Sequence, residues 1–221
     1  MFNIFVAVCT RDRAEIAKPC ITRMVNVLQQ VHVWVDPLST EYGVEDVNAW
    51  GAIGKTIDIS ETMPVKSRIA TMRIAAAKFA LLNNFEYILF LDSDILISYK
   101  FLEELQRLIP IMKEMNCKAL TLANYKQYEL RCTIVKHDEL GVSIRRFGLG
   151  GCLLFPVSQS LADTKVSKGS SWDTYLCQTV ASRRILTSHI SYVRHLGQGT
   201  GLSADRGLMN FDFSNLAEDL A

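Results

Sequence analysis

Five consecutive apolar residues, Tyr87 to Leu91, run directly into Asp92-Ser93-Asp94. A strand that is apolar on both faces must be covered on both, so it belongs inside a mostly parallel sheet with helices on either side. Side chains alternate along a strand, so carboxylates at Asp92 and Asp94 leave an extended chain on the same side. At the end of a buried strand they repel each other, and something cationic is expected between them. Oxygen ligands suit a hard divalent ion, Mg²⁺ or Mn²⁺, which commonly keeps positions open for substrate phosphates. A pair of solvated turn aspartates is the plain alternative, disfavoured by the apolar strand that leads into it.

The rest of the chain alternates two periodicities. Asn3 to Cys9 is apolar and β-rich, and Ala14 to Gln30 places Ile16, Cys20, Met24, Val27 and Leu28 at helical spacing. Val31 to Val35 reads as a strand ended by Asp36-Pro37, and Thr56 to Ile59 as another. Lys66 to Asn83 and Phe101 to Met115 read as helices, the second with Pro110 as a local irregularity. Ala119 to Ala123, Val142 to Phe147 and Cys152 to Phe155 read as strands, Trp172 to Arg183 as a helix, and the remainder to Ala221 as loop. Strands alternating with helices predict an α/β fold, a mostly parallel sheet flanked by helices. Ligands of such sheets bind beyond the carboxyl ends of the strands, which directs attention to Thr10 to Arg13, Asp36, and Asp92 to Asp94.

Composition narrows the function classes. A length of 221 residues fits a single domain, against roughly 150 residues per domain in general. Twenty-four basic against 23 acidic residues leave a net charge of +1, which is no footprint for a nucleic-acid binder. No apolar run approaches the ~20 residues of a spanning helix, and the N-terminus lacks the basic region of a signal peptide. The six cysteines show no CxxC and no zinc-ligand spacing, so free thiols in a reducing compartment are expected. These features together predict a soluble, cytoplasmic protein without a transmembrane segment.

The blocks around these residues resemble a known family. Arg73-Ile-Ala-Ala-Ala-Lys-Phe-Ala through Glu86-Tyr-Ile-Leu-Phe-Leu-Asp-Ser-Asp94 is similar to the central block of nucleotide-sugar-dependent glycosyltransferases of the GT-A fold, family-2-like members in particular. Val35-Asp-Pro-Leu-Ser-Thr-Glu41 resembles the family's segment after its second strand, with Pro37-Leu38 in place of Asp-Gly, and Thr10-Arg-Asp-Arg13 resembles the segment after the first. Downstream, Ser171-Trp-Asp-Thr-Tyr-Leu-Cys177 looks like the family's "EDtdfc" block, with Trp172 where many members carry Glu, and His195-Leu-Gly197 like the "HlG" that follows it.

The resemblance implies a GT-A-like, Rossmann-related domain whose residues 1–100 bind the donor and whose residues 101–221 form the acceptor side with a flexible C-terminal segment. It implies that Thr10, Arg13 and Asp36 hold the nucleotide and that Arg73 approaches the diphosphate or its sugar. Asp92 and Ser93 would meet the ribose, Asp92, Asp94 and His195 a Mn²⁺ or Mg²⁺ ion, and Asp173 would be the general base of an inverting transfer to a hydroxyl acceptor. The acceptor class (glycan, protein, lipid or modified nucleic acid) stays open, and so short a chain would share a large acceptor with a partner protein or a second subunit.

Other readings stay open at this point. The same fold could bind a nucleotide sugar or carbohydrate without turnover. A magnesium-dependent phosphatase also places Asp-x-Asp after an apolar strand, with the first aspartate as nucleophile. Arg145-Arg146 and Arg183-Arg184 read as solvated charge, and an anionic acceptor site is the rival for them. Gly148-Leu-Gly-Gly151 reads either as a floor under an acceptor or as a tight turn, and Gly197-Gln-Gly-Thr-Gly201 as a flexible segment over the donor.

Overall fold

The computed structural model describes residues 2–125, 129, 132–147, 151–164, 172–196 and 215–221, with the backbone alone at 173 and 174. A nine-stranded sheet organises it. In chain order the strands are β1 (Ile4–Thr10), β2 (His32–Val35), β3 (Ile53–Lys55), β4 (Tyr87–Asp92), β6 (Ala119–Thr121), β7 (Thr133–His137), β8 (Val142–Arg145), β9 (Cys152–Pro156) and β10 (Ile185–Ser188). Across the sheet they lie in the order β3-β2-β1-β4-β9-β6-β10-β8-β7. Only β8 and β9 run against the other strands, so the sheet is mostly parallel as expected. A two-stranded antiparallel sheet of β5 (Ile95–Ile97) and β11 (Val193–His195) stands beside it.

Strand alternation sends the apolar residues into two cores. Val6 and Val8 of β1 and Leu89 and Leu91 of β4 face one side, where α1 (Ala14–Leu28), α2 (Val44–Ala49) and α4 (Phe101–Glu114) cover them. Phe5, Ala7, Ile88 and Phe90 face the other, against α3 (Val65–Leu82) and α6 (Trp172–Tyr175). On α3 the buried residues include Ala70, Ala76, Ala77 and Ala80, whose small side chains let the helix backbone lie close to the sheet. A short α5 (Gln159–Ala162) is capped by the Ser158 hydroxyl, which accepts from the Leu161 amide at 3.3 Å.

Several sequence expectations are corrected here. Thr56 to Ile59 is not a strand; the edge strand is β3, just ahead of it. The helix expected from Trp172 to Arg183 is one α turn followed by a π turn, Leu176–Val180, and it ends where Ser182 and Arg183 take left-handed backbone. The tail expected as loop holds β10, β11 and a terminal 3₁₀ turn, Glu218–Leu220. These strands are only three or four residues long, and all four residues of β10 are buried, so no alternation was there to read.

The last residues are docked. Leu220 is buried, and the Asp219 carboxylate accepts from Ser98 Oγ at 2.6 Å and from the Tyr99 amide at 2.9 Å. Arg23 of α1 reaches the same carboxylate and lies 3.8 Å over the Tyr99 ring. Among the described residues no helix is long and apolar enough to cross a membrane.

Candidate functional site

The chain reverses its direction of winding at β1: β2 and β3 lie on one side of it and β4 on the other. Such a switch point opens a crevice between strand ends. Three of the residues singled out from sequence mark these strand ends. Thr10 ends β1, Asp36 follows β2 with its amide donating to the Thr10 carbonyl at 2.9 Å, and Asp92 ends β4 opposite Cys9 of β1.

The turn after β1 is strained. Asp12 and Arg13 both have left-handed backbone, with φ 52° and 59°, a region that non-glycine residues enter at a cost of order 1–3 kcal/mol each. The Asp12 carboxylate ties this turn to the loop after β2, accepting from the Thr40 amide at 2.7 Å and Ser39 Oγ at 3.0 Å. Partial burial works to raise its pKa, but these hydrogen bonds prevail and hold it below the ordinary value. Arg13 then opens α1, and its Nη2 donates to Asp94 Oδ2 at 2.8 Å. Beneath them the hydroxyls of Thr10 and Tyr42 are hydrogen-bonded, and burial pushes the Tyr42 phenol up to about 12.

Each of the two motif aspartates has a guanidinium partner. Arg73 of α3 donates from Nη2 to Asp92 Oδ1 at 2.5 Å. Arg13 holds Asp94, and His195 Nε2 lies 3.3 Å from Asp94 Oδ1. The small sheet makes that approach: His195 pairs across from Ile95, and the Leu196 amide donates to the Asp94 carbonyl at 2.8 Å. Ser93, between them, is buried. Among the described residues no three His, Cys, Asp or Glu side chains converge as a metal-binding group. Asp94 and His195 converge as a pair, while Asp92 sits on Arg73, one third exposed.

Asp36 is deeper than a ligand-facing residue. Its side chain is wholly buried, Arg68 Nε donates to both of its oxygens at 2.9 and 3.2 Å, and the Leu38 amide donates at 3.0 Å. Arg68 and Tyr42 were not singled out from sequence, and Asp12 only as part of the stretch Thr10 to Arg13. A signal for Arg68 existed: a buried aspartate demands a cation, and α3 carries four basic residues, of which Arg68 and Arg73 are buried. Gly151 was read as a turn or floor residue, and the structure shows a tight approach instead. A Cβ there would stand 2.5 Å from Ile95 Cδ1 and 3.3 Å from Asp92 Oδ2.

Cys9 lies under the Arg73–Asp92 pair, and burial pushes its thiol up to about 12, so it is a protonated core residue and no nucleophile. Asp173 falls in α6, which Trp172 fixes edge-on to Phe90 at 6.3 Å. The Asp173 side chain, Gly148 to Gly150 and Gly197 to Gly201 lie outside the described residues.

No protein-family model matches the sequence, and no curated protein matches it. The fold does match solved structures. Residues 1–349 of S. aureus TarS, a GT-A glycosyltransferase, superpose with a TM-score of 0.60 at 17% identity, over 89% of this chain and 61% of that one. The same fragment in complex with UDP-GlcNAc gives 0.58 at 17% identity, over 87% and 58%. A longer TarS structure gives 0.58 at 16% identity over 90% and 37%. The chain thus spans about three-fifths of the shorter TarS chains and just over a third of the longer one. At this identity the likeness shows the fold, and the fold is GT-A-like, as the sequence blocks implied.

Proposed function

We propose that this chain is a nucleotide-sugar-dependent glycosyltransferase that moves a sugar from a nucleoside diphosphate to a hydroxyl acceptor. The observation that carries the reading is the assembly at the end of β4: Asp92 under Arg73, and Asp94 between Arg13 and His195, at the switch point of a GT-A-like sheet. Two guanidinium groups from different elements suit a diphosphate, which each can meet with paired N–H donors. The complex of TarS with UDP-GlcNAc supports a nucleotide-sugar donor.

The residues take the following parts. Thr10, Arg13 and the loops joined by Asp12 border the nucleotide, and Asp36, from below, fixes Arg68 and the turn at Leu38. Asp92 and Ser93 meet the ribose, and Arg73 and Arg13 turn from the aspartates toward the phosphates as the donor enters. A metal ion fits this donor set as a two-ligand site. The Asp94–His195 separation of 3.3 Å is close to the about 3.0 Å between neighbouring ligands of an octahedral ion with ~2.1 Å bonds. Asp94 and His195 would hold Mn²⁺ or Mg²⁺, whereas Asp92, which the resemblance assigns to the same ion, is paired with Arg73. When bound, the ion supplies positive charge to the departing diphosphate as a Lewis acid.

In the transfer, the acceptor oxygen bonds to the anomeric carbon while the bond from that carbon to the phosphate oxygen breaks, its electron pair leaving with the diphosphate. The acceptor proton goes to the Asp173 carboxylate, and attack by the acceptor oxygen on the face opposite the leaving group inverts the anomeric configuration.

Thermal unfolding with UDP, GDP, ADP and CMP, each with and without Mn²⁺, tests the donor site. A ligand at a hundred times its Kd adds about 2.7 kcal/mol, a rise of about 5–10 °C for a chain of this size. Stabilisation by one diphosphate that needs Mn²⁺ and is lost in Asp94→Asn is the expected result, and Asp173→Asn should keep it while losing transfer. No stabilisation by any nucleotide would overturn the reading.

A further inference from the structure

The pair Arg145-Arg146, expected from sequence to be solvated, divides: Arg146 is exposed and Arg145 is 2% exposed. Val142 and Ile144 of β8 enter the core on the α1 and α4 side, so alternation turns Ser143 and Arg145 to the other face. There Arg145 Nε donates to Ser143 Oγ at 3.2 Å and Nη2 to Asn124 Oδ1 at 2.8 Å. Asn124 is itself oriented, its Nδ2 donating to the His189 carbonyl at 2.6 Å.

Both acceptors are neutral, and they use two of the five guanidinium N–H groups. Among the described residues no carboxylate comes within 4 Å of Arg145; Glu129 acts on it only at a distance and is engaged by Lys136 at 2.9 Å. Burial pushes the Arg145 pKa down from its ordinary value. A guanidinium nevertheless stays charged in proteins, and a charge at this depth without a counter-ion is costly.

A second group at the same place lacks a partner. Thr187 of β10 pairs directly with Ser143, and its buried Oγ1 has no hydrogen bond among the described residues. Asn124 follows β6 and Thr187 lies near the end of β10. The cluster therefore sits at the carboxyl ends of these strands, the same edge of the sheet as Asp92.

We propose that Arg145 and Thr187 form an anion subsite that takes one phosphate or carboxylate group of a ligand. The remaining guanidinium N–H groups give in-plane donors and the Thr187 hydroxyl one more. If the transferase reading of the previous section holds, the acceptor is an anionic molecule; that identification rests on it, whereas the subsite does not.

The test uses the full chain without nucleotide, with inorganic phosphate and acetate as probes, sodium chloride as the ionic-strength control, and calorimetry with NMR of the Thr187 methyl as readouts. Thr187→Val removes a buried hydroxyl that bonds nothing in the described protein, so the nucleotide-free fold should be as stable or more so while the anion binds about tenfold more weakly or worse. Arg145→Met should abolish binding. Saturable binding that shifts the Thr187 methyl and weakens in Thr187→Val supports the subsite; phosphate as the tighter probe points to a phosphate ester, and acetate to a carboxylate. Binding unchanged in Thr187→Val, or no saturation by either probe, overturns it. These arms contain no nucleotide, so loss of the subsite with diphosphate stabilisation intact leaves the donor reading standing, and the reverse holds equally.

Discussion

His32 is buried among the rings of Phe5, Trp34 and Phe79, with centroids 4.6, 6.3 and 5.7 Å away. Burial, aided by the charge of Lys55, holds its pKa down to about 4 from 6.5. The folded state thus keeps the imidazole neutral where the unfolded chain protonates it. Above pH 6.5 both states are neutral and the fold has its full stability; between about pH 6.5 and 4 the unfolded chain alone gains a proton and stability falls; below that both are charged and the loss levels off. A shift of this size is worth on the order of 3 kcal/mol. Urea titrations at pH 7.5 and 4.5 should show that loss in wild type and a smaller one in His32→Phe, which keeps the ring contacts. From sequence, His32 was one residue of a short strand, and Arg145 one of a basic pair. In both cases the residue type and strand were legible and the burial was not, because it depends on what covers the second face of the sheet. Asp92 and Asp94 were legible for the opposite reason: an apolar strand ahead of them already stated its own burial.

α3 works as a brace between strands. Arg68 holds Asp36 at the end of β2 and Arg73 holds Asp92 at the end of β4, with β1 between those strands. Five helical residues rise about 7.5 Å, close to the ~9.6 Å spanned by two strand spacings, so one helix reaches both carboxylates. The Asp36 side chain is fully enclosed, and removing Arg68 leaves Arg11, its Nε 3.9 Å away, as the remaining cation among the described residues. Arg68→Met should therefore cost about 3–5 kcal/mol in urea unfolding at pH 7, and Asp36→Asn in the same chain should recover part of it. A merely superficial ion pair would give under about 1 kcal/mol and no recovery. At this scale the long periodic elements were read within one or two residues, as with Val65–Leu82 and Phe101–Glu114. The three-residue β5 and β11 were not, and they are what bring His195 to Asp94.

The two halves expected from the sequence blocks share one sheet. β9, from residues 152–156, pairs with β4 along five positions and bridges to β6 at Leu120–Leu154, while Asp219 at the far end of the chain is anchored by Ser98, Tyr99 and Arg23. Unfolding should accordingly be a single transition. Single-tryptophan variants keeping Trp34 or Trp172, one from each half, should report the same urea midpoint, and separated midpoints would contradict this. The β4–β9 seam also bears on what can be exchanged. A fragment ending near residue 100 would leave β4 as a bare edge, apolar on both faces and open to pairing with any extended chain. Residues 1–100 therefore do not form a portable cassette: grafting them onto a different second half requires that the new half bring its own antiparallel strand to close that edge, with a residue as small as Gly151 where the strand begins.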